Sequence, residues 1–163
     1  MDKSDFMDKN YVTIMVESLE KKRNLLRNIA ELNRQQLILL EDPNLSPEEF
    51  EQNIEYKGSM ITELNLVDEG FAKLFNRIGD TLKQNSKEYA SEISRMKELI
   101  KEITDLGNTI QTQEVRNKKK AEAKFENVRG QVRNVRNSQK VVKQYYQSMT
   151  KQHGVVGGFD DKK

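Results

Sequence analysis

"EDPNLSPEEF", residues 41–50, ends one helix and starts another, and so decides the fold. Pro43 pushes Asp42 out of helical geometry, so a helix arriving from upstream stops here. Ser46 is placed to cap the next helix, Pro47 fits its first position, and Glu49 completes a capping box with Ser46. Leu45 and Phe50 occupy the two staple positions on either side of that cap. Four signals agree on a sharp boundary, which folds the chain into an antiparallel helical hairpin.

Upstream, Tyr11, Ile14, Met15, Leu19, Leu25, Leu26, Ile29, Leu32, Leu37 and Leu40 recur at three- and four-residue steps, predicting a helix over about 8–41. Downstream, Phe50, Ile54, Lys57, Ile61, Leu64, Asp68, Phe71, Phe75, Ile78 and Leu82 alternate steps of four and three, a heptad seam over 47–83. Lys57 and Asp68 are charged positions in this seam. They are read here as reaching its edge, with their charges in solvent. Gly79 weakens the helix, and Asn85 with Glu88 offers a second capping pair, so a turn is expected near 79–86. Without it the helix would run past about 60 residues, roughly 90 Å. A third helix over 86–115 carries Tyr89, Ile93, Met96, Ile100, Ile103 and Ile110 on one face, with Gly107 among them. Ile110 to Ala121 then spans eleven residues, read as a stutter in the heptads.

The expected class is all-α: an elongated antiparallel hairpin or three-helix bundle with long coiled-coil-like helices. Residues 1–115 form its body, 116–150 a basic amphipathic helical extension, and 151–163 a flexible glycine-rich tail. Composition agrees, since 33% of residues are charged and only two are proline. Cysteine is absent, which removes disulfides and thiolate metal sites. The longest strongly apolar run is "LILL", 37–40, too short for a membrane span or a signal-peptide core, so a cytoplasmic, soluble chain is expected.

Charge is uneven. Residues 116–152 hold 11 Lys and Arg against two acids, while the whole chain carries a net charge of only +2. A basic extension therefore follows an acidic body. Its seam resumes as Ala121, Phe125, Val128, Val132, Val135, Gln139, Val142, Tyr146 and Met149. Beside it runs a cationic row, Arg129, Arg133, Arg136, Lys140 and Lys143. Valine, asparagine and glycine are weak helix formers, and no acid stands between Asn127 and Lys151 to pair with these cations. Such a segment is expected to fray alone and to order on a complementary surface. A bland alternative is a helix end packed on the bundle with a solvated flank.

Among partners, nucleic acid would use the cations and the Tyr145–Tyr146 pair for phosphate contacts and stacking, but the acidic body repels phosphate. A membrane helix needs bulkier apolar residues than valine. An amphipathic protein helix with acidic flanks fits best. The partner-binding residues are then Phe125, Val128, Val132, Val135, Val142, Tyr145, Tyr146 and Met149, with Arg129, Arg133, Arg136, Lys140 and Lys143. Self-association through Val128 to Met149 is the alternative within the same chemistry. Enzymatic readings lack a constellation: the single histidine, His153, lies in the tail, and no phosphate loop or nucleophile motif is present. Neither an enzyme nor a cofactor is expected.

The stretches "IEYKGSMITELNLVDEGFAKLFNRI" (54–78), "YASEISRMKELIKEIT" (89–104) and "SQKVVKQYYQSM" (138–149) resemble flagellar export chaperones of the FlgN type, in particular a clostridial branch with a long basic C-terminal segment. The resemblance implies a cytoplasmic helical chaperone of the flagellar type III export system, without catalysis or cofactor. It would hold C-terminal helices of hook–filament junction proteins and deliver them to the export gate. It also associates substrate capture with the C-terminal region, here Phe125 to Met149. The strongly basic tail departs from better-known members, and the filament-cap chaperone is built similarly, so the substrate stays open.

Overall fold

A computed structural model describes residues 3–126 together with 140, 141 and 145, the side chains from residue 6 onward. The expectations for Val128, Val132, Val135, Val142, Tyr146, Met149, Arg129, Arg133, Arg136, Lys143 and the tail lie outside the described residues. Three helices follow in order, α1 (Lys3–Glu41), α2 (Pro47–Gln84) and α3 (Ala90–Lys124). Each is about 50–60 Å long at 1.5 Å per residue. The fold is an all-α bundle, and no described helix is long and apolar enough to cross a membrane.

The α1–α2 boundary forms as its residues dictate. Ser46 caps α2 by accepting the Glu49 N–H at 3.4 Å, and Pro47 opens the helix. Phe50 is buried and Leu45 packs against its cluster, the expected staple. Asp42 Oδ1 accepts the Asn44 N–H at 2.9 Å, tightening the turn between the helices.

The second reversal falls at residues 85–89, after α2 has passed through Gly79. Asn85 does not open α3 as expected. It closes α2 instead, its side-chain amide and its backbone N–H both donating to the Thr81 carbonyl at 2.9 Å. Tyr89 precedes α3 without a side-chain cap and is buried in the core. Burying that ring takes the place of a cap in positioning the helix start.

α1 is the central helix. Its backbone runs close to both α2 and α3, whereas α2 and α3 approach each other less closely and are linked by the Lys57–Glu114 pair. Cross-helix pairs give the directions. Tyr11 stacks under Arg77, and Gln36 meets Asn53, so α1 and α2 are antiparallel. Arg27 meets Glu102 and Lys120 meets Glu41, so α1 and α3 run parallel.

The α1 seam is more regular than its apolar residues suggest. Val12, Met15, Leu19, Lys22, Leu26, Ile29, Asn33, Gln36 and Leu40 are all buried, at unbroken steps of three and four. Ile14, expected in the core, is exposed, because it stands off that seam. In α3, Ile110, Glu114, Asn117 and Ala121 are buried at steps of four, three and four. Two polar residues fill the eleven-residue gap, and the stutter falls at Asn117, Ala121 and Phe125, buried at two successive steps of four. α3 also continues through residue 116, where the body was expected to end.

Candidate functional site

Three polar layers interrupt the apolar core, and each arises where the heptad places a polar side chain inward. The first joins α1, α2 and the C-terminal segment. Lys22 Nζ lies 2.9 Å from Asp68 Oδ1, with side chains only 4% and 8% exposed. The ammonium sits 5.7 Å from the centre of the Tyr145 ring, which is itself buried in the main core. The nearby Tyr145 hydroxyl favours the charged form of the Asp68 carboxyl, as Lys22 does more strongly. Burial opposes both charges more strongly than their pairing favours them. It pushes the Asp68 carboxyl above its usual range and the Lys22 ammonium below its own.

In the second layer, Lys57 of α2 reaches Glu114 of α3 at 2.5 Å, with side chains 1% and 9% exposed. Lys57 and Asp68 are therefore interior charges. The expectation that they reach the seam's edge fails, because partners on neighbouring helices, Glu114 and Lys22, satisfy them inside.

The third layer is built of amides. Asn117 Nδ2 donates to Asn33 O at 2.9 Å and to Gln36 Oε1 at 3.0 Å. Gln36 Nε2 donates to Asn53 Oδ1 at 3.1 Å, and Asn53 Nδ2 to Leu32 O at 2.9 Å. Gln113 donates to Ala30 O at 3.1 Å and accepts from Asn33 Nδ2 at 3.2 Å. Sliding any helix by one turn would leave these buried groups without partners, so the layer sets register.

Three of the expected partner-binding residues are described. Phe125 is buried beneath the hairpin end, its ring 5.3 Å from that of Phe50 at 52°, alongside Leu40 and Ala121. Tyr145 is buried over Lys22 and Asp68. Lys140 is exposed, as is its neighbour Val141. The two aromatics thus serve the chain's own core at separate places, Phe125 at the hairpin turn and Tyr145 near the middle of α1 and α2. The sequence reading overlooked Lys22, Asn33, Gln36, Asn53, Glu114 and Asn117. Their signal was position: most fill steps in a three–four repeat that apolar residues otherwise occupy.

Among the described residues no three His, Cys, Asp or Glu side chains gather as a metal site needs. The layers can hold helices in register, and the Lys22–Asp68 pair packs an aromatic ring from outside the three helices. Comparison with known family models, curated proteins and solved structures finds no match to this chain.

Proposed function

We propose that this chain is a helix-binding chaperone of the flagellar export type, working in the cytoplasm without catalysis. It holds C-terminal helices of a hook–filament junction protein and releases them at the export gate. The flagellar part of this reading rests on the resemblance of residues 54–78, 89–104 and 138–149. The helix-binding part rests on one observation: Tyr145, from beyond the three helices, occupies a buried socket formed by Lys22 and Asp68.

A socket with two charges is a poor permanent core and a good exchangeable one. Desolvating the pair costs energy that its Coulomb attraction only partly returns, so the contact with Tyr145 is bounded in strength. A captured helix that brings its own apolar row can pair with the C-terminal segment while the three-helix body keeps its register. Moderate affinity follows, which suits handover without covalent work.

The test is co-purification of the full chain with the C-terminal region of a hook–filament junction protein from the same cell. The comparison is a chain ending at Glu126, which spares α3 and its buried Asn117 and Ala121. Capture by the full chain and loss in the shortened one supports the reading. Equal capture by both removes the C-terminal segment from the mechanism, and capture by neither removes the substrate.

A further inference from the structure

A second surface, well away from Tyr145, lies on the hairpin near its turn. A groove of about 330 Å³ runs between α1 and α2, with Leu32, Ile38 and Leu39 on one wall and Tyr56 on the other. Ile38 is 56% exposed and Tyr56 52%, so its apolar walls face solvent. Gln52 Nε2 donates to the Tyr56 hydroxyl at 2.9 Å and holds the ring in place. Asn53 belongs to the same lining and is bonded to Leu32 O and Gln36, which keeps the two helices at fixed spacing. The groove is therefore preformed.

Its charge is one-sided. Residues 31–39 and 48–56 contain five acids and one cation, Arg34. Arg34 is already held by Glu31 on its own helix at 2.6 Å. Glu48, Glu49, Glu51 and Glu55 line the adjoining face of α2, and no cation among the described residues pairs with them. Phosphate-bearing surfaces and acidic helices are repelled here. A helix with an apolar row bordered by Lys or Arg meets both the walls and the rim.

We propose that this groove docks a cationic amphipathic helix from another protein. Tyr145 of the chain's own C-terminal segment is buried at Lys22 and Asp68 rather than in this groove. The surface does not depend on the chaperone reading, and the two can fail separately.

The probe is a synthetic helical peptide with leucines in heptad register and lysines elsewhere, labelled for fluorescence anisotropy and titrated with the full chain at about 0.15 M salt, where the Debye length is about 8 Å. Its counterpart carries glutamates in place of the lysines. The lysine peptide is expected to bind and the glutamate peptide not to. Ile38→Asp with Tyr56→Ala should weaken binding about tenfold or more, as for anchors in a groove. Glu51→Lys with Glu55→Lys should weaken it and flatten its salt dependence. Leu66→Asp, at another exposed apolar residue, should leave it unchanged. All these positions are exposed, and unchanged circular dichroism verifies the fold. Tyr56→Ala alone serves if the double change disturbs it. Absence of binding, or binding indifferent to Ile38 and Tyr56, overturns the proposal. So does a concentration-dependent dimer of the chain, seen by sedimentation and abolished by the same substitutions, because the groove would then take a second copy.

Discussion

Lys22 on α1 and Asp68 on α2 meet at 2.9 Å inside the core, with the ring of Tyr145 beside the ammonium. Two charges and an aromatic from three parts of the chain thus share one buried volume. The two charges depend on each other, because removing either leaves the other buried without its ion-pair partner.

Lys22→Met alone should therefore destabilise the chain by about 3–5 kcal/mol, the cost of an uncompensated buried carboxylate. Adding Asp68→Leu should recover most of that loss, since an apolar pair of similar volume carries no desolvation penalty. Urea denaturation of the two single variants and the double variant checks this. A double variant as unstable as the worse single one would contradict it.

The Asp68 carboxyl titrates above the ordinary carboxylate range because burial disfavours its charge; Lys22 chiefly, and the Tyr145 hydroxyl to a smaller extent, moderate the rise. Tyr145→Phe should push it higher still, observable by carboxyl NMR. The sign for stability follows. The folded chain holds this proton more tightly than the unfolded one, so the stabilisation from Asp68 is fully present below the unfolded value and fades as pH rises through the folded one. Tyr145→Phe should extend that window upward.

Glycines in the interior of α2 differ in what surrounds them. A Cβ at Gly58 or Gly70 meets nothing within 4 Å, whereas at Gly79 it meets the Phe75 ring at 3.4 Å. Gly58→Ala and Gly70→Ala should each stabilise the chain by about 1 kcal/mol through helix propensity. Gly79→Ala should gain less, because the ring must yield. Thermal unfolding of the three variants ranks them.

Val132→Asp with Val135→Asp should abolish substrate capture, because two carboxylates in the apolar row cannot be buried against a partner helix. Helical content of the three-helix body should persist. Capture that survives both changes would place the contact elsewhere.

Much of this fold is legible in the sequence. The capping box at Ser46 and the staple at Leu45 and Phe50 are local chemistry, and they form as the residues require. The α2 seam was also readable, because its charges interrupt a strong apolar repeat. Position alone did not reveal how those charges are satisfied. Glu114, which pairs with Lys57, is distant in sequence and looks like any solvated helix acid. Asn33, Gln36 and Asn117 look like surface amides, yet packing makes them core.

The sequence by itself determined that this chain makes long helices, where the first pair reverses, and that a basic segment follows an acidic body. Those properties depend on backbone propensity, capping and periodicity, which act within a few residues. Only the tertiary structure decided that α1 is central, that Lys57 and Asp68 are interior, and that Phe125 and Tyr145 lie in the chain's own core. A buried charge is tolerated only where a complementary group from another helix arrives at hydrogen-bond distance, and that meeting is a property of packing.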